Sequence, residues 1–111
     1  MIETKSLLLK TGIEFKDKDK PSPDVEDDIY TQYQHIDQVQ AIYGQDLPEV
    51  YNVYVLLNHD RYDEALMDRL LDQEEFVLDL HPESFLQFYY LPILENNIPQ
   101  VPKNSVRILS R

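Results

Sequence analysis

The chain has no cysteine, no tryptophan and only two glycines among its 111 residues. Without cysteine there is no disulfide framework, no thiolate metal site and no cysteine nucleophile. Gly12 and Gly44 stand alone, so no glycine-rich loop can cradle a phosphate, and neither a Walker pattern nor a dinucleotide fingerprint occurs. No serine stands in a nucleophile-elbow context. Long apolar runs are missing as well. The opening MIETKSLLLKTGIEF holds a three-Leu run too short for a signal-peptide core, and nothing later approaches the length of a membrane span. A cytoplasmic protein without membrane association is the expectation.

Positive charge is scarce in the middle of the chain. Residues 21–100 carry 17 acidic residues against Arg61 and Arg69, while five Lys fall within residues 1–20 and Lys103, Arg107 and Arg111 within the last segment, for a formal net charge of −11. Nucleic-acid binding needs Lys and Arg to neutralise phosphates, so direct contact with DNA or RNA is not expected and a basic protein partner is. The hydrophobic fraction of 42% and the eight Tyr are enough for one ordered core, and the length fits one domain.

What is present sorts into a small α/β fold, with α+β as the neighbouring alternative. Residues 1–20 read as an N-terminal hairpin or arm around Lys10-Thr11-Gly12 followed by a charged linker. Ser22-Pro23-Asp24 then supplies a hydroxyl cap, Pro at the first helical position and acids at the positive end of the helix dipole. Val25, Ile29, Tyr33, Ile36, Val39 and Tyr43 recur at spacings of three and four, which predicts one long helix stopping at Gly44.

Residues 50–57 are rich in β-branched and aromatic side chains on both alternating faces, as in an interior strand. A helix over about 61–80 buries Leu66, Met67, Leu70, Leu71, Val77 and Leu78, His81-Pro82 ends it, and 84–91 reads as the next strand. Strand, helix and strand with short connections form a βαβ unit with parallel strands. The expectation is an α/β core domain over 21–95, with two amphipathic helices packed on a mixed sheet of three to five strands. The Pro-rich segment 96–111 follows as an edge strand or docking tail.

Ligands tend to bind beyond the carboxyl ends of parallel strands, and Asn58, His59, Asp60 and Asp63 fall at that position. A small molecule or a metal could be held there, with His59 as base or ligand and Asp60 or Asp63 orienting it. The simpler reading is structural: Asp60 caps the second helix through the amide of Asp63, Asp63 complements the dipole, and His59 is a turn residue. His35 followed by His59-Asp60 resembles the opening of the metal-dependent HD phosphohydrolase pattern. That family is all-helical and carries its pair on a helix, whereas here the pair follows a predicted strand. His81 reads as a favourable charge near a helix carboxyl end.

At 100° per residue, Glu64, Asp68, Asp72, Glu75 and Asp79 share an arc of about 80° opposite the apolar face. Such a stripe is either a solvated surface or a docking face for a basic partner, including a nucleic-acid-binding protein whose phosphate site it would imitate, as a phage-type inhibitor does. Glu74 projects into the apolar arc, where a carboxylate must reach the rim or find a partner such as a strand Tyr hydroxyl. The aromatics Phe85, Phe88, Tyr89 and Tyr90 read as core and sheet surface, and at a sheet edge they would extend the sheet across a homodimer. Together these features predict a non-catalytic protein-binding or regulatory module with no cofactor, and small-molecule or metal binding at Asn58–Asp63 as the alternative.

Overall fold

A computed structural model describes residues 23–111 except 60, 62 and 96. The expected hairpin and linker of residues 1–20 and the Ser22 cap lie outside the described residues.

The first helix, α1 (Pro23–Tyr33), is shorter than its periodicity predicts. It buries Val25, Ile29 and Tyr33 completely. The chain then turns, with the Ile36 amide donating to the Tyr33 carbonyl and the Val39 amide to the Ile36 carbonyl, and enters a strand, β1 (Val39–Asp46). The long helix ending at Gly44 is therefore corrected to a helix, a turn and a strand. Its pattern misleads because Ile36 in the turn and Val39 at the head of β1 are both buried, three residues apart, and so continue the helical spacing past the end of α1. The register against the next strand shifts between Val39 and Ala41, so Val39 and Ile42 face the core, whereas Tyr43, the last residue of the pattern, pairs with Tyr54 on the other face. Gly44 is no helix stop; it pairs with Val53 inside the sheet.

A short turn, closed by the Leu47 amide on the Val50 carbonyl, leads to β2 (Tyr51–Leu57), antiparallel to β1. Then come α2 (Glu64–Leu80) and β3 (Leu86–Pro92), which pairs with β2 in parallel and without a register break. This is the βαβ unit that the sequence pattern predicts. The last strand, β4 (Val106–Ser110), runs antiparallel along the other side of β1. The sheet order is β3-β2-β1-β4, so β2 is an interior strand and, among the described residues, β3 and β4 are the edges. Two helices on a four-stranded mixed sheet make this a small α/β fold.

The helices share one face of the sheet. Tyr51, Val53, Val55 and Leu57 of β2 join Val25, Ile29 and Tyr33 of α1 and Leu66, Leu70 and Val77 of α2 in one buried cluster, closed at the edges by Leu86 and Leu109. Leu71, expected in the buried face of α2, is 48% exposed. It sits about 120° around the helix from the Leu66, Leu70 and Val77 stripe, beyond the reach of the sheet.

Alternation along the strands puts Ala41, Tyr43, Gln45, Asn52, Tyr54, Leu56 and Tyr89 on the opposite face. There Gln45 Oε1 accepts from Tyr54 Oη at 2.8 Å and Asn52 Nδ2 at 3.2 Å, while Gln45 Nε2 donates to Asn104 Oδ1 at 3.0 Å. Of the aromatic run, Phe88 and Tyr90 stack on the core side with Tyr33, Tyr89 stacks on Tyr54 at 5.2 Å, and Phe85 is exposed.

Candidate functional site

The carboxyl ends of β2 and β3 lie side by side, because parallel pairing sets Leu57 against Pro92. Beyond them are two hollows with His59 in both walls. One, of about 430 Å³, lies between Asn58 and His59 on one side and Ile93, Leu94, Glu95 and Ile98 on the other. The second, of about 290 Å³, is walled by Leu57, Leu66, Met67, Tyr90 and Pro92, with His59, Arg61 and Asp63 supplying its polar groups. A tight turn shapes the first hollow: Leu94 and Asn97 exchange backbone hydrogen bonds of 3.1 Å in both directions.

Asp63 performs the cap that the sequence reading assigns to Asp60. Its backbone is extended and its Oδ1 accepts from the Leu66 amide at 3.1 Å, so α2 begins at Glu64 rather than near Arg61. Asp60 itself lies outside the described residues. The other carboxylate oxygen of Asp63 faces His59 Nε2 at 3.6 Å, too long for a hydrogen bond. His59 Nε2 is shielded from solvent and has no hydrogen-bond partner among the described residues. Asn58 is exposed, and its amide donates to the Gln38 carbonyl at 2.7 Å.

Sequence reasoning locates the β2 side of this cleft and misses the wall formed by Ile93, Leu94, Glu95 and Ile98. The parallel strand pair was the available signal, since the residues following its second strand must emerge beside those following its first. The helical setting of the HD phosphohydrolase pattern is not found: His35 is exposed in the turn after α1 and His59 follows a strand. Among the described residues, no group of three or more His, Asp and Glu side chains is gathered as metal ligands would be.

The acidic residues of α2 form a separate surface. Glu64, Asp68, Asp72, Glu75 and Asp79 are all exposed, on the side of the helix away from Leu66, Leu70 and Val77. Glu74, on the buried side, finds the tyrosine partner its position calls for. Tyr90 Oη lies 3.0 Å from Glu74 Oε1 and 2.9 Å from Tyr33 Oη, and both hydroxyls lie within reach of the Leu70 carbonyl. Burial is the main force pushing both phenols above their ordinary range, and Tyr33 and Glu74 push Tyr90 further. The group ties α1, α2 and β3 together and borders the second hollow only through Tyr90.

His81 also has a stronger partner than the helix dipole. It caps α2 through its backbone amide, and its Nε2 lies 2.6 Å from Asp28 Oδ2 of α1. Arg111 plays a part that charge counting does not reveal: its Nε donates to the Val39 carbonyl at 2.7 Å, and its Nη2 to those of Gln34 at 2.6 Å and Ile36 at 3.3 Å. No helix among the described residues is long and apolar enough to cross a membrane. No family model matches the chain, nor does any curated protein or any solved structure.

Proposed function

We propose that this protein is a non-catalytic binding module that docks a basic protein partner through the outward face of α2. The supporting observation is the exposure of all five stripe carboxylates on one side of a helix whose other side is anchored in the core. At 1.5 Å per residue the stripe runs for about 22 Å. Anchoring matters, because a rigid row of charges presents a fixed pattern whereas charges on a loose segment do not. Neighbouring acids four residues apart repel by a few tenths of a kcal/mol per pair, so the stripe lowers helix stability slightly instead of raising it. A surface kept at a cost to stability is what a binding role accounts for.

The test compares wild type with a variant carrying Asp68→Lys, Asp72→Lys and Glu75→Lys in capture of partners from source cells at low and high salt. Docking through the stripe predicts a basic protein held by wild type at low salt, released at high salt and absent from the variant. The same partners on both proteins would refute it. The variant should fold at least as well as wild type, since it turns the repulsions of position 68 with Glu64 and of position 75 with Asp79 into attractions, and lysine is a better helix former than aspartate.

A second reading, small-molecule binding in the cleft at the carboxyl ends of β2 and β3, is favoured by His59 Nε2, which stands between the two hollows and makes no hydrogen bond among the described residues. Loss of an exchangeable ligand in an Asn58→Ala, His59→Ala variant would support that role, and indifference to the lysine stripe variant would separate it from docking.

A further inference from the structure

The two edges of the sheet are built differently. β4 is five residues long, carries the exposed Arg107, and its register against β1 shifts between Ile42 and Tyr43. Shortness, charge and irregularity are the devices by which natural sheets stop an edge from pairing with another chain. β3 has almost none of them. It is seven residues long, Leu86 to Leu91 contain no charged side chain, its register is unbroken, and Pro92 occurs only at its end.

The hydrogen bonds at its two ends identify which groups β3 turns outward. The Phe85 carbonyl accepts from the Tyr51 amide at 2.8 Å, and the Ile93 amide donates to the Leu57 carbonyl at 2.8 Å, so the odd-numbered residues flanking β3 face β2. Backbone polar groups alternate sides along a strand. Gln87, Tyr89 and Leu91 therefore bond towards β2, while the N–H and C=O groups of Leu86, Phe88 and Tyr90 point out of the sheet. Among the described residues no strand lies beyond them.

We infer that β3 pairs with β3 of a second copy, antiparallel about a two-fold axis at Phe88, to give one continuous sheet. The register is self-complementary. Phe88 meets Phe88 of the second copy, and Leu86 meets its Tyr90, each pair exchanging both N–H···O bonds. The half-buried ring of Phe88 would be covered by its symmetry mate, and Gln87 would stand opposite Tyr89 on the helix-free face. A second copy fits this edge because Leu86 to Leu91 carry no charge, so the two strands meet without like charges opposite one another.

Sedimentation of the full chain across a range of concentrations, combined with residue-resolved amide exchange, tests the pairing. The mass should rise with concentration from 13.2 kDa towards twice that value. In step with it, the amides of Leu86, Phe88 and Tyr90 should gain protection, whereas Gln87 and Tyr89 are protected throughout. A Gln87→Lys, Tyr89→Lys variant places lysines opposite one another on the exposed face and should stay monomeric, although it makes the acidic chain less negative overall. Four results would overturn the inference: a monomer at every concentration, a dimer protected along β4 instead, open-ended growth, or protection that is independent of concentration. The last would mean that the chain covers this edge itself.

Discussion

Replacing Gly44 with Ala should be among the most damaging single-methyl additions in this protein. Gly44 lies within β1 between Val53 of β2 and Val106 of β4. A Cβ built on it would collide with Tyr51 Oη and come within 2.6 Å of its Cζ and 2.7 Å of its Cε1. The ring cannot yield cheaply, because Tyr51 is only 3% exposed and its hydroxyl donates a 2.6 Å hydrogen bond to Glu26 Oε2 of α1. Overpacking a core position costs about 1–3 kcal/mol. Losing a hydrogen bond to a charged group adds about 1.5–3 kcal/mol. Reduced freedom of the unfolded chain returns about 0.4–1 kcal/mol. The net loss is then about 1.5–5.5 kcal/mol, a large share of the roughly 5–15 kcal/mol typical of a domain.

Urea unfolding followed by circular dichroism measures this as a lower midpoint at unchanged slope. The attribution to Tyr51 is tested by repeating Gly44→Ala in a Tyr51→Leu background, where the ring is gone and most of the cost should vanish as a coupling energy. A loss below about 0.5 kcal/mol in the wild-type background, within the range of ordinary surface substitutions, would refute the reasoning. So would a full loss that persists without the tyrosine ring.

The buried phenols predict alkaline instability. Tyr33, Tyr51 and Tyr90 are all pushed up, chiefly by burial, with Glu26 adding to the effect on Tyr51 and Tyr33 and Glu74 to that on Tyr90. Unfolded phenols ionise near pH 10, so stability from these groups is complete below about pH 10 and falls as the pH rises further. Phenolate absorbance should show these three of the eight tyrosines ionising together with loss of circular dichroism; ionisation of all eight near pH 10 with the fold intact would contradict this. Asp63→Ala removes the cap on the Leu66 amide and should cost about 0.5–2 kcal/mol in urea unfolding, whereas Asp63→Asn should cost much less. Arg111→Ala should cost about 1–2 kcal/mol, since from an exposed position its donors reach two carbonyls of the α1–β1 connection and that of Val39 at the start of β1, and it should speed amide exchange at Ile36 and Val39. An Arg111→Ala protein as stable as wild type would show that the turn holds itself.

The βαβ half of the fold was legible because its three pieces carry different signals: a β-branched run, a 3.6-residue period and an aromatic run broken off by proline. β1 was not, because buried Ile36 in the turn and Val39 at the strand's start extend the spacing of α1, and periodicity alone cannot separate a turn and strand from a further turn of helix. Glu74 announced its need for a partner by standing among Leu70, Val77 and Leu78, and the supplier proved to be a strand tyrosine. Arg111 announced nothing, since carbonyls left free at a turn have no signature in side-chain pattern. The cleft was half legible for a related reason. Its β2 wall follows from strand polarity, whereas Ile93 to Ile98 acquire meaning only once the two strand ends are known to be neighbours.

The proposed edge pairing and the proposed docking face bear on one another through symmetry and salt. A two-fold axis relating antiparallel β3 strands runs perpendicular to the sheet, so both helix layers lie on the same side of the dimer and both acidic stripes face one direction. A partner with two basic patches, or an extended basic one, would then engage both stripes and gain avidity that a single copy lacks. The same arrangement brings two chains of net charge −11 together. Salt must therefore act in opposite directions on the two contacts: it screens repulsion between like-charged copies and strengthens the dimer, and it screens attraction to a basic partner and weakens docking. Sedimentation at increasing salt should show a larger dimer fraction over the range in which partner capture declines. The Gln87→Lys, Tyr89→Lys variant, monomeric with its stripe intact, should still bind the partner but release it faster. Binding that survives monomerisation at full strength would separate the two surfaces and leave docking a property of one α2 helix alone.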